Sequence, residues 1–243
     1  MSLWSSLTSL IGSAASGAGA VLGTLVDSLR NLVGDEDQRR QVAFTVAMIG
    51  LSAKMAKADG VVTNDEIEAF RDLVEFPQNE SENVARLYNL AKQDVAGFDA
   101  YARKIAGLFE GEHAILEDIL DGLFHIAMAD GVLHDREAAY LEIVAGEFGM
   151  DDVEYRRVRA RHVFEGELDP YVVLGVDSDL PYEDVRRIYR KLVAENHPDR
   201  LVARGVPPEF VKIASDRLAA INAAFDQIEL RNRPPHGGAG ATP

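Results

Sequence analysis

The sequence predicts an all-α protein. Apolar residues recur at helical spacing along most of the chain, strand-like alternation is nearly absent, and Ala-Asp-Gly stops punctuate the apolar stretches. In residues 42–56 the recurrence is Val42, Val46, Ile49 and Met55. Similar patterns run through Ile67–Val74, Val84–Leu90, Tyr101–Phe109, Ile115–Met128 and Tyr140–Phe148. Together they predict a helical bundle over residues 38–165.

That bundle contains an internal echo. MAKADGVVTNDEIEAF (55–70) aligns with IAMADGVLHDREAAYL (126–141), pairing Asp59 with Asp130, Gly60 with Gly131 and Glu66 with Glu137. In each copy a helix ends at Ala-Asp-Gly, where glycine fits a left-handed helix stop, and another begins a few residues later. Thr63 and Glu66 have the spacing of a capping box. The echo predicts two related helical hairpins packed together. Helix termination accounts for both turns. The competing reading is an oxygen-ligand cation site made by Asp59, Asp65 and Glu66 with Asp130, Asp135 and Glu137. Their spacing is not that of an EF-hand loop, so no metal is assigned, and Asp59 and Asp130 stand as its candidates. The ADG turns with acidic helix starts resemble the TerB-like (tellurite-resistance-type) helical domain, which implies a fold more than an activity.

Residues 169–231 form a second, smaller helical unit. DPYVVLGV (169–176) is a short apolar turn that stops at Gly175. Pro181, Glu183 and Asp184 open a helix, with proline in the first turn and acids at its positive end. Its apolar stripe is Val185, Ile188, Tyr189, Leu192 and Val193, and the opposite face carries Arg186, Arg187, Arg190 and Lys191. The helix must stop near Asn196, because Pro198 forces His197 out of the α region. A loop is expected over residues 200–208. A further helix then carries Ile213, Ala214, Leu218, Ile221, Phe225 and Ile228 as one stripe facing the first. The residues alone give an antiparallel hairpin with His197-Pro198-Asp199 on its connection.

This unit closely resembles the DnaJ-type J-domain, through DPYVVLGV, YEDVRRIYRKLVAENHPD and INAAF. The stretch HPDRLVARGVPPEF resembles the version in DjlA-like chaperones, which join a TerB-like domain to a C-terminal J-domain. The resemblance implies a cochaperone and not an enzyme. His197, Pro198 and Asp199 match the tripeptide that triggers ATP hydrolysis in a DnaK-type partner. Arg186, Arg187, Arg190 and Lys191 match the basic face that meets an acidic surface on that partner. Tyr171, Leu174, Tyr189, Leu192 and Phe225 match core positions. No cofactor is implied. The usual basic fourth helix, a Gly/Phe-rich linker and a cysteine zinc module are missing. The rival reading is a TerB-like scaffold or a metal- or envelope-stress protein in which the J-domain is ancillary. His125, between Phe124 and Ile126, reads as a satisfied core residue.

Composition bounds the partners. The chain has 243 residues, no cysteine, and a formal charge of −15. Disulfides and thiolate chemistry are excluded, and a reducing cytoplasm is the easier home. Residues 1–168 carry nearly all the excess acid, which argues against nucleic acid as the partner. Residues 232–243, rich in proline and glycine, read as a disordered tail. Residues 1–33 form an apolar stretch without a charge between positions 2 and 26. Three arrangements stay open for it: a membrane-spanning anchor, an interfacial or self-associating helix, and a packed or disordered arm. Gly19 and Gly23 allow close helix approach, and thus a homodimer. DjlA-like proteins have an N-terminal membrane anchor. If this stretch spans the inner membrane, Arg30, Arg39 and Arg40 would hold the domains in the cytoplasm.

Overall fold

The computed structural model describes residues 7, 26–27, 29, 35–59, 73–74, 81–93, 97–163 and 169–232. Among them every regular element is helical: α1 (Glu36–Asp59), α2 (Ser81–Gln93), α3 (Phe98–Leu108), α4 (His113–Ala127), α5 (Asp135–Glu147), α6 (Asp152–Arg159), α7 (Pro170–Leu174), α8 (Tyr182–Glu195), α9 (Pro198–Ala203) and α10 (Val211–Asn232), with one 3₁₀ turn at Pro208–Phe210. The Thr63–Glu66 capping box, most of residues 1–33 and the tail after residue 232 lie outside the described residues.

Helix α1 is the axle of the bundle. Asp35 caps it by accepting from the Gln38 amide (2.7 Å), and Glu36 and Asp37 sit in its first turn. From Val42 to Ala56 it is buried on every side, not along one stripe. A helix apolar all round belongs at the centre, and α2, α3, α4 and α5 all pack on it. Its buried hydroxyls are satisfied locally: Thr45 and Ser52 donate to the carbonyls of Gln41 (2.9 Å) and Met48 (2.7 Å). Two neighbours dock through tyrosine hydroxyls. Tyr101 of α3 donates to the Val46 carbonyl (3.0 Å), and Tyr140 of α5 to the Leu51 carbonyl (2.8 Å). The Tyr101 ring lies so close to Gly50 that a Cβ there would sit 2.6 Å from ring carbon Cζ.

The second ADG turn is a helix stop, built as the residue pattern requires. Gly131 takes φ 86°, Asp130 accepts from the Val132 amide (2.9 Å), and the Glu137 carboxylate accepts from the His134 amide (3.0 Å) at the start of α5.

The main core does not end at residue 165. It includes Leu201, Val206, Phe210, Ile213 and Ala214, and the Phe210 ring meets Phe44 of α1 edge-on at 5.0 Å. Two expectations are corrected here. Residues 200–208 are not a plain loop, because α9 and the 3₁₀ turn lie within or beside them and bury Leu201, Val206 and Phe210. The apolar residues of α10 are not one stripe facing α8. Ile213 and Ala214 enter the main core, while Ile221, Ala224, Phe225 and Ile228 enter a second, smaller one. One 22-residue helix therefore serves both cores.

At the N-terminus, Leu7, Val26 and Leu29 are buried in the main core, and Lys104 pairs with Asp27 (2.8 Å). Among the described residues no helix is long and apolar enough to cross a membrane.

Candidate partner-binding site

Helix α7 is capped by Asp169, which accepts from the Tyr171 amide (3.0 Å), and it buries Val173 and Leu174. These meet α8 and the second half of α10. The Tyr189 ring stacks on Phe225 at 3.9 Å and 4°, and its hydroxyl donates to Asn222 (3.0 Å). Only Val185 of the α8 stripe is fully buried, because α8 has α10 and the short α7 as its neighbours. Ile188, Tyr189, Leu192 and Val193 are half-buried. Opposite them Arg186, Arg187, Arg190 and Lys191 are all exposed. Arg187 pairs with Asp184 (2.6 Å) and Lys191 with Glu195 (3.7 Å), both within the helix.

Helix α8 ends at Asn196, whose side-chain amide donates back to the Leu192 carbonyl (2.8 Å). His197 is extended (φ −65°, ψ 140°), as the following proline requires, and Pro198 begins α9. The Asp199 amide donates to His197 Nδ1 (3.2 Å), so the imidazole caps α9. With Nδ1 accepting, the proton of a neutral ring sits on Nε2 as an outward donor. The side chains of His197 and Asp199 are 56% and 91% exposed. The turn thus offers one donor and one carboxylate to solvent, on a backbone held by proline.

Behind this turn lies a buried ionic cluster that the residue pattern did not reveal. Asp118 and Asp121 of α4 have no solvent-exposed surface to speak of, and Arg217 of α10 reaches both. Its Nη2 is 2.7 Å from Asp118, its Nε donates to Asp121 (2.7 Å), and Nη2 also contacts Asp121. Arg161 donates to Asp121 (2.8 Å) and pairs with Glu117 (2.7 Å). His162, stacked on Phe124 at 5.5 Å, holds the other Asp121 oxygen (2.7 Å). Arg204, just after α9, donates to Asp118 (3.1 Å), and Arg217 Nη1 donates to Asn196 (2.9 Å).

Burial alone would raise the Asp121 carboxyl, but Arg217, Arg161 and the His162 hydrogen bond outweigh it and hold it well below the usual range. Glu117 is likewise lowered, burial being outweighed by Arg161 and Arg217 together. For Asp118 burial wins over Arg217 and Arg204, and its carboxyl is raised. Burial lowers Arg217, but Asp121, Asp118 and Glu117 outweigh it and push the guanidinium above its ordinary value. The signal in the sequence was two acids three residues apart inside the apolar run ILEDILDGLF.

The other candidates fall elsewhere. Asp130 accepts from the Val132 amide and pairs with His134 (3.0 Å), as a turn residue does. The Asp59 side chain lies outside the described residues. Among the described residues no cluster of acids and histidines has the arrangement of a metal site. His125 is half-buried and meets Asp216 at 3.1 Å, so it sits at the rim of the α4–α10 contact and not within the core.

Residues 45–160 match the family described as Tellurite resistance protein TerB. Co-chaperone protein DjlA of Photobacterium profundum is 28% identical over 217 residues, covering 79% of this chain and 78% of that protein. The protein of the same name from Photorhabdus laumondii is 27% identical over 94% of this chain and 98% of its own length. That of Salmonella typhimurium is 27% identical over 87% and 90%. No solved structure gives a significant match.

Proposed function

Starting from a chain that is DjlA-like over most of its length and carries a TerB region, we propose that this protein is a DnaJ-family cochaperone that stimulates ATP hydrolysis by a DnaK-type chaperone. The observation that carries the reading is the exposed His197-Pro198-Asp199 turn between two paired helices, beside the exposed row Arg186, Arg187, Arg190 and Lys191. Residues 169–231 act as the J-domain. The basic row attracts an acidic surface of the partner and sets the approach. That attraction is screened over about 8 Å at physiological salt, so the complex is weak and salt-sensitive. Asp199 accepts a charge-assisted hydrogen bond from a partner cation, and His197 donates from Nε2. Pro198 limits the entropy lost on docking. Bond cleavage belongs to the partner's nucleotide site, and this chain supplies no catalytic group. The partner's need for ATP and the absence of cysteine suit a cytoplasmic-facing position.

The test is ATP hydrolysis by a DnaK-type chaperone with the full chain and with His197→Gln. Acceleration by the first and none by the second supports the proposal. Equal acceleration by both rejects it. The TerB match supports a second reading, a scaffold or stress protein in which the J-domain is ancillary. It is favoured if stress sensitivity of a deletion strain is rescued by the full chain carrying His197→Gln. For residues 1–33, the burial of Leu7, Val26 and Leu29 supports a packed arm over a free anchor. Membrane fractionation of the full chain against residues 34–243 distinguishes them, and an arm that anchors moves only the full chain into the membrane fraction.

A further inference from the structure

Two residues on either side of α9 lead to the same buried carboxylate. Asn196, immediately before His197, accepts from Arg217, which pairs with Asp118 at 2.7 Å. Arg204, immediately after α9, donates to Asp118 (3.1 Å) and to the Glu195 carbonyl (3.5 Å). Between them Leu201 is buried in the main core. We infer that Asp118, acting through Arg217 and Arg204, is a positioning residue for the His197–Asp199 turn, so that α4 of the TerB-like bundle sets the angle at which the turn meets its partner.

The inference rests on the cochaperone reading, and the physical case is as follows. Helix α9 has six residues, too few to hold a direction on its own. Its tip side chains face solvent and contribute no packing. Orientation must therefore come from the ties at its two ends. Apolar contact at Leu201 gives attraction without direction. Ties to ionised groups give both: Arg204 hydrogen-bonds to Asp118, whose side chain has 0% exposure, and Arg217 forms an ion pair with Asp118 while its Nε donates to Asp121. Buried ions of this kind seldom add net stability over apolar replacements, which leaves geometry as their role.

The experiment uses the full chain with Asn196→Ala and, separately, Arg204→Gln. Asn196→Ala leaves Asp118 paired with both arginines and Arg204→Gln leaves it paired with Arg217, and thermal unfolding checks the fold. Single-turnover ATP hydrolysis by a DnaK-type chaperone is titrated with each protein. Maximal stimulation falls about tenfold, in keeping with the loss of one hydrogen bond to a charged group. The half-maximal concentration, set by the distant basic row, stays within about twofold. Folded variants that reach the wild-type maximum, or that move only the half-maximal concentration, overturn the inference. If the wild-type chain gives no stimulation, the cochaperone reading fails instead. Backbone amide relaxation at Asp199–Leu201 then decides the positioning claim: greater mobility in Arg204→Gln supports it, and unchanged mobility overturns it.

Discussion

Arg217 and Asp118 are paired at 2.7 Å with 3% and 0% of their side chains exposed, although 99 positions separate them along the chain. The pair joins α10 to α4 and so makes one framework of the bundle and the hairpin that bears the exposed turn. Removing Arg217 leaves Asp118 with Arg204, and Asp121 with Arg161 and His162, each short of one cation in a buried site. Arg217→Ala should therefore cost about 3–5 kcal/mol of stability. Urea unfolding measures this directly, and adding Asp121→Asn to Arg217→Ala should cost less than the two changes summed.

Acid should loosen the same cluster. Asp121 and Glu117 are lowered in the folded chain, so their stabilisation is complete above the ordinary values of 3.8 and 4.5 and is lost as pH falls towards the folded ones. Asp118 is raised, so its contribution has the opposite sign and offsets part of the loss. The urea midpoint should fall between pH 5 and pH 3, and the gap between wild type and Asp121→Asn should narrow over the same range. A gap that stays constant contradicts the assignment.

At the centre of the bundle, Gly50→Ala would put a methyl group into the Tyr101 ring. The overpacking should cost about 1–3 kcal/mol. Thermal unfolding should show a lowered midpoint, and Tyr101→Leu in the same chain should recover part of it.

The residue pattern made some of this legible and hid the rest, for physical reasons. Helix α8 covers a small core with one face, so its stripe and its arginine row separate cleanly in the sequence. Tyr189 follows from that stripe, Phe225 from the apolar spacing of α10, and Leu174 from the J-domain resemblance. Helix α1 is buried all round, and a periodicity argument picks out only some of its core residues. Helix α10 turns one end to each core, which merges into a single apparent stripe. Residues 200–208 are too short a stretch for any period to register. Arg217 resembles a solvated charge until its partner helix is known, and the mark the cluster leaves in the sequence is Asp118 and Asp121 inside the apolar run ILEDILDGLF.

The exposed basic row makes its own prediction. Arg186→Glu with Arg190→Glu lies on the open face of α8, so stability should change by under ~0.5 kcal/mol. Binding to a DnaK-type chaperone should weaken at least tenfold, and its dependence on salt should flatten. Titration at two ionic strengths reads both effects.

The most direct measurement is single-turnover release of phosphate from an ATP-loaded DnaK-type chaperone, with the wild-type chain and with His197→Gln at saturating concentration. The proposed role requires a large acceleration by the wild type and a rate near the unstimulated one for the variant, with both proteins equally stable. Equal rates for the two proteins would contradict it.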